Sequence, residues 1–230
     1  MSTSDEAGTK WLKHYSSEQS ILTVGDGDFS FSLALAAAFG SGKNLVATSL
    51  DSYEELNSKY NHAASNVKEL ERLGATVLHG VDVTEMDTHA YLAHRQFDRI
   101  VFNFPHAGFN GREDNVDMIK SHQELVRGFF TTARGMVRRF FGHIHVTHKT
   151  KHPYSMWGIQ QLASESSLTL LEEGAFQIQD YPGYNQKRGS SWRCDQDFAI
   201  GDCSTFKFWH LQVLGAMISF VNQACESVWL

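Results

Sequence analysis

Ile21-Leu22-Thr23-Val24-Gly25-Asp26-Gly27-Asp28-Phe29-Ser30 is a short apolar run that breaks into a Gly-Asp-Gly-Asp turn. The apolar part reads as a buried strand. Two glycines one residue apart let the backbone turn sharply and approach a ligand. Leu33 to Phe39 then reads as a helix closed by Gly40, so the turn joins a strand to a helix N-terminus with free main-chain N–H groups. Taken alone, the turn is equally well read as a tight strand–helix connection.

The pattern repeats outward from this stretch. Leu45 to Leu50 reads as a second buried strand. Tyr53, Leu56, Tyr60, Ala63, Val67, Leu70 and Leu73 recur at three- and four-residue steps, the apolar face of one long helix. Ser52 and Glu55 form its capping box and Gly74 closes it. Ala75 to Val81 and Phe97 to Phe104 are the third and fourth strands; Ser121 and Glu124 cap a helix reaching Phe140; Ile144 to His148 is the fifth strand. Met156 to Ser164 reads as a further helix, and Phe176–Tyr181 with Ser204–Leu214 as a closing antiparallel pair. Strands alternating with helices predict an α/β fold: a doubly wound, Rossmann-like sheet, mostly parallel, with a C-terminal antiparallel hairpin. With only three prolines and no linker, the chain reads as an N-terminal extension (1–19), one Rossmann-like domain (20–214) and a C-terminal tail (215–230).

Composition constrains the setting. The 230 residues carry 20 Lys+Arg against 26 Asp+Glu, a net charge of −6 that argues against non-specific coating of nucleic acid. That total hides a split, because Leu125 to Ser164 holds Arg127, Arg134, Arg138, Arg139, Lys149 and Lys151 and no acid. Arg134, Arg138, Arg139, Lys149 and Lys151 are expected to form a basic lip on an acidic body, suited to one structured site rather than to coating nucleic acid. Cys194, Cys203 and Cys225 cannot all pair, so a reducing, intracellular location is expected. The opening residues lack the pattern of a secretory signal, and the apolar stretch Leu211–Val221 is too short to span a bilayer, so no membrane association is expected. His143, His145, His148 and His152 have no cysteine or acid at a familiar zinc spacing. They are read as adding to the local positive character, with no metal site.

In a doubly wound sheet, ligands bind beyond the C-terminal strand ends, where the strand order switches. After strand one the loop Gly25, Asp26, Gly27, Asp28, Phe29, Ser30 is expected to hold a cofactor. Asp51 after strand two is placed to accept from ribose hydroxyls, or to cap the next helix beside Ser52. Asp82 after strand three could accept from an adenine amino group while Val83 packs on the ring; a solvated loop acid is the alternative. Together these imply a nucleoside-bearing cofactor. Ser30 stands where a dinucleotide fingerprint has its third glycine, and Asp26 and Asp28 would repel a pyrophosphate but suit a sulfonium and an amino group. The charge sign favours S-adenosylmethionine over NAD. After strand four, Asn103-Phe104-Pro105-His106 resembles the Asn-Pro-Pro-Tyr loop of enzymes that methylate nitrogen in a planar group. An amide and a carbonyl there can hold a substrate N–H, Phe104 or Phe109 can stack on its ring, and His106 is a candidate base. Core packing for Phe104 and a structural hydrogen bond for His106 are the competing readings.

Five motifs in order carry a resemblance: Gly25–Ser32 (GDGDFSFS), Asn103–His106 (NFPH), His145–Thr150 (HVTHKT), Tyr181–Tyr184 with Lys187-Arg188-Gly189, and Cys203–Phe208 (CSTFKF). From about Ser20 to Phe208 the chain resembles the 25S rRNA uridine-N3 methyltransferase-like family of fungi and plants. The resemblance implies a class I methyltransferase sheet and transfer from S-adenosylmethionine to N3 of a uridine in large-subunit rRNA. It also implies an RNA partner and a nuclear or nucleolar location, with the cytoplasm as the alternative. Gly25, Asp26, Gly27 and Asp51 would hold the methionine and ribose parts and Asp82 the adenine. Asn103, Phe104, Pro105 and His106 would face the base, and Lys149, Lys187 and Arg188 the RNA backbone. Another RNA, a small nitrogen heterocycle, or a non-catalytic S-adenosylmethionine-binding module are the readings it competes with.

Overall fold

A computed structural model describes residues 8–108, 111–189 and 192–210 of the chain; the expected tail, the stretch from Leu211, and Phe109 and Cys225 lie outside them. In chain order the elements are β1 (Trp11–Leu12), β2 (Tyr15–Ser16), β3 (Ile21–Val24), α1 (Ser30–Phe39), β4 (Leu45–Thr48), α2 (Tyr53–Lys59), α3 (Ala63–Arg72), β5 (Thr76–Leu78), β6 (Arg99–Asn103), α4 (Val116–Met136), β7 (His143–Lys149), α5 (Ile159–Glu165), β8 (Leu168–Ala175) and β9 (Cys203–His210). β1 and β2 make a small hairpin, and the other seven strands form one sheet in the order β5-β4-β3-β6-β7-β9-β8. β5, β4, β3, β6 and β7 run parallel, and β9 is antiparallel to both β7 and β8. This is the doubly wound, mostly parallel sheet expected from the sequence.

Successive side chains on a strand point to opposite faces, and that alternation separates the two cores. Leu22, Val24, Ile100, Phe102, Ile144 and Val146 pack under α4 and α5. Ile21, Leu45, Ala47 and Val101 pack under α1 and α3. Beside them the β1–β2 hairpin covers the same face, with Tyr15 buried and its hydroxyl 3.0 Å from His145 Nδ1. The chain leaves β3 toward β5 and returns to β6 beside β3, so the strand order switches at the C-terminal ends of β3 and β6.

Several local expectations are corrected. The long helix is two: Tyr60 turns to extended dihedrals and buries its ring, while the Asn61 main-chain and side-chain N–H groups bind Asp195 Oδ2. The next helix starts at Asn115, not Ser121, because the Asn115 side chain accepts from Asp117 N–H at 2.8 Å; it ends at Met136. The partner of the last strand is Leu168–Ala175, not Phe176–Tyr181. Its paired acids hide the strand signal, but Lys207 on β9 neutralises Glu172 at 2.8 Å. Phe176 and Tyr181 instead stack at 5.4 Å around a 3-10 turn.

The basic lip does not form. Arg138 follows α4 near the N-terminal end of β7 and pairs with Asp98, whereas Lys149 ends that strand, about 20 Å away. Arg127 pairs with Glu165 and Lys151 with Asp202. Nor do the strand histidines supply positive charge. His143 and His145 share one face and His148 takes the other, as alternation requires. Burial lowers His143 and His148 to about 4 and holds His145 well below the ordinary imidazole value, so all three are neutral.

A candidate cofactor and substrate site at the strand switch

Two cavities meet where β3 and β6 end. The first, about 500 Å³, is lined by Gly25, Asp26, Gly27, Asp28, Asp51, Tyr60, Asp82, Val83, Asn103, Phe104 and His106, among others. Gly25 has φ +60°, and a Cβ there would lie 2.7 Å from the Phe102 ring, so only glycine fits the turn. The helix that follows does not offer free N–H groups. Asp26 Oδ2 accepts from Ser32 N–H and Oγ–H, and Asp28 Oδ1 accepts from Ser30 N–H. Two carboxylates therefore fill the place where a phosphate would sit.

Phe29 and Ser30, expected at the cofactor, shape the loop instead. Phe29 is the left-handed residue before α1, with its ring buried against His79. Ser30 Oγ exchanges hydrogen bonds with the Asn185 backbone, tying the 184–189 loop down over the cavity. Pro105 lines the second cavity rather than the first.

The acids here are prepared for a cation. Burial lifts the Asp26 pKa to about 7 against the lowering bond from Ser32, with Asp28 adding to the rise. Burial also raises Asp28, whose Oδ2 is buried with no hydrogen-bond partner among the described residues. An orphaned buried carboxylate oxygen lining a cavity needs a donor. Asp51 is salt-bridged to Lys59, and Asp82 Oδ1 accepts from Thr84 N–H and Oγ–H. The donor set fits a molecule with a nucleoside at one end and positive charge at the other.

The second cavity, about 780 Å³, shares Phe104, His106, Lys187, Arg188 and Phe198 with the first. Phe104 adopts φ +50°, a costly backbone for an aromatic residue. Its N–H donates to Thr147 O at 2.8 Å, and its ring meets Phe176 and Phe198 edge-on at 5.6 and 5.3 Å. Tyr154 and Trp157 add aromatic wall; Lys149 and Arg188 supply cations. Lys187, expected at RNA, is committed to Asp195 and Asp197 and braces the loop.

The sequence reading missed Glu113 and His122. His106 Nε2 lies 3.0 Å from Glu113 Oε1, and His122 Nε2 lies 3.5 Å from Glu113 Oε2. The three could be taken for a metal site. However, His106 Nδ1 accepts Gly108 N–H and His122 Nδ1 accepts Ala107 N–H, so each Nε2 carries the hydrogen. A metal-binding imidazole needs the opposite tautomer. The group is a proton network: burial works to raise Glu113, but bonds from both histidines outweigh it and hold the carboxylate near 2. In this arrangement both His106 nitrogens are engaged. No spacing rule links a strand end, a loop and a helix, so only the fold reveals the group. Tyr154 and Trp157 follow β7 and were reachable by inspecting that strand end as the others were.

The comparisons agree with this architecture. The family model described as "BMT5-like: rRNA (uridine-N3-)-methyltransferase BTM5-like" matches residues 22–188. The chain is 54% identical over 198 residues to "Heavy metal-associated isoprenylated plant protein 41" of Arabidopsis thaliana, covering 86% of this chain and 38% of that protein. It thus spans well under half the length of that relative. It is 27% identical to the "25S rRNA (uridine(2634)-N(3))-methyltransferase" of Saccharomyces cerevisiae, covering 77% of this chain and 68% of that one. A "Methyltransferase Homolog Protein from Pyrococcus Horikoshii" shares the fold, with TM-score 0.52 and 14% identity over 84% of this chain and 62% of that one. A class I methyltransferase sheet with a family match across most of its length makes this chain a member of the BMT5-like rRNA (uridine-N3-)-methyltransferase family.

Proposed function

We propose that the protein transfers a methyl group from S-adenosylmethionine to N3 of a uridine in large-subunit rRNA. The observation that carries this reading is the junction of the two cavities: an acidic, glycine-floored one that Asn103 lines and an aromatic, cationic one, with Phe104 in the wall of both. Asp51 would hold the ribose and Asp82 with Val83 the adenine. Asp26 and Asp28 would face the cationic end, the unpartnered Asp28 Oδ2 accepting an ammonium hydrogen. When bound, S-adenosylmethionine supplies a methyl already activated by positive sulfur.

An unpaired or flipped uridine enters the aromatic cavity and stacks on Phe104, whose ring Phe176 and Phe198 hold in place. The Asn103 amide orients N3 toward the first cavity. Arg188, which lines both cavities, and the rim cations meet the RNA backbone. Family membership supports the RNA substrate, and among the described residues no helix is long and apolar enough to cross a membrane. A nuclear or nucleolar site of action follows from an rRNA substrate.

The test is reverse transcription across rRNA from cells with and without the protein. A methyl on N3 blocks Watson–Crick pairing and stops the transcriptase. One stop at a uridine that vanishes with the protein is expected; an unchanged stop pattern would overturn the substrate.

A further inference from the structure

Among the described cations of the aromatic cavity, Lys149 and Arg188 have no acidic partner, and Lys149 alone lies over aromatic rings. It ends β7, two residues and about 7 Å beyond Thr147, whose carbonyl fixes Phe104. Its Nζ lies 4.7 Å from the Tyr154 ring centre and 4.9 Å from that of Phe198, inside the aromatic cavity. Among the described residues it has no ion pair or hydrogen bond, whereas Lys187 has two acidic partners and Lys151 has one. The charged or titratable groups around it are Glu113 across the cavity, Arg188 from the covering loop, Tyr154, Cys203 on the paired strand and the adjacent neutral His148. Burial lowers its pKa, with Arg188 adding to the fall and Glu113 opposing it. A half-buried ammonium between two rings is placed to meet a planar anion rather than a solvated phosphate.

We infer that Lys149 is a catalytic residue that holds uracil in its N3-deprotonated form, its ammonium donating a hydrogen bond to a ring carbonyl oxygen. This rests on the proposed uridine-N3 reading. Neutral N3 has no available lone pair in the ring plane. Loss of its proton to solvent leaves a charge shared with O2 and O4, and Lys149 stabilises that charge where it accumulates. N3 then forms the N–C bond as the methyl carbon's bond to sulfur breaks, the electron pair staying on sulfur. His106, with both nitrogens engaged, is not required as the base.

The test compares the wild type with K149M and K149R, each first checked for an unchanged melting temperature. Methyl transfer is followed against pH on large-subunit rRNA transcripts made with uridine or with 5-fluorouridine, whose N3 is more acidic. For K149M the pH midpoint should move up by about one to two units, the worth of a charge-assisted hydrogen bond. Its deficit should shrink at least tenfold on the fluorinated transcript, and K149R should recover part of the rate. A uniform, salt-dependent loss with an unmoved midpoint and equal deficits on both transcripts would make Lys149 a phosphate contact and overturn the inference. A second readout needs no transfer: the 19F resonance of a 5-fluorouridine pentanucleotide bound with S-adenosylhomocysteine, titrated with base. Ionisation at lower pH on the wild type than on K149M supports the inference, and equal midpoints sink it. If the wild type methylates no uridine, the functional reading fails and this titration still decides the role of Lys149.

Discussion

Asp26 shows how one residue can set stability against function. Its folded pKa, about 7 mainly through burial, lies above the ordinary carboxylate value. The folded state therefore keeps a proton that the unfolded chain has lost, and the stabilising contribution present in acid disappears as pH rises from about 4 to 7, a cost on the order of 4 kcal/mol. Asp26→Asn keeps an oxygen for Ser32 but carries no charge. It should melt several °C above the wild type near pH 8 and at about the same temperature near pH 4, as scanning calorimetry would show. The same change should weaken S-adenosylmethionine binding, and wild-type affinity should fall as pH drops below about 7, where protonated Asp26 no longer meets a cation. On the proposed reading, Asp51 and Asn103 should separate binding from turnover. Asp51→Ala should weaken binding about tenfold to a hundredfold by titration calorimetry. Asn103→Ala should leave binding near wild type and remove methyl transfer. The positions of Asp26, Asp51, Asp82 and Asn103 were legible in the sequence because the three acids follow, and Asn103 ends, strands that their apolar runs identify. Glu113 was not, and Lys149 was read only as a basic residue toward RNA, since what each can do depends on neighbours that the fold alone brings together.

At the scale of elements, both a cap pattern and apolar periodicity misplaced boundaries that long-range structure sets. α4 begins where Asn115 offers its side chain to Asp117 N–H, while Ser121 sits inside the helix with its hydroxyl donating to Asp117 O. Asn115→Ala should cost about 1 kcal/mol and lower the melting temperature by roughly 2–4 °C, whereas Ser121→Ala should change stability by less than about 0.5 kcal/mol. Equal effects would mean that the helix starts elsewhere. This boundary matters because the first turns of α4 carry His122 to Glu113, with Trp157 stacked on the imidazole at 3.8 Å. The break between α2 and α3 is likewise tied to the site. A continuous helix satisfies the apolar spacing equally well, so spacing alone cannot find it. What selects the break is the burial of Tyr60 beside Gly27 and the Asn61–Asp195 bond, both long-range contacts.

For the whole molecule, the doubly wound, mostly parallel sheet was readable from alternating strand and helix signals, and with it the expectation that ligands sit at the strand ends, whereas the strand order itself came only from the fold. The distribution of charge was not, because residues adjacent in sequence can lie at opposite ends of a strand. The histidines give a global signature of the fold. His145 and His148 are buried neutral, and each should cost about 1.4 kcal/mol per pH unit below 6.5, because the unfolded chain binds the protons; His14 and His143, more exposed, cost less. Their stabilising contribution is complete above 6.5 and is lost as pH falls toward about 4. Melting followed from pH 7 down to about 5 should show a drop of several °C, steeper in Asp26→Asn, which lacks the opposing contribution. Chemistry at the junction of the two cavities can be read from its product. Purified protein should be incubated with methyl-labelled S-adenosylmethionine and an unmodified large-subunit rRNA transcript, and the RNA digested to nucleosides. Label is expected in 3-methyluridine and should disappear with Asn103→Ala; label in another nucleoside, or none although S-adenosylmethionine binds, would rule out uridine-N3 transfer at this site.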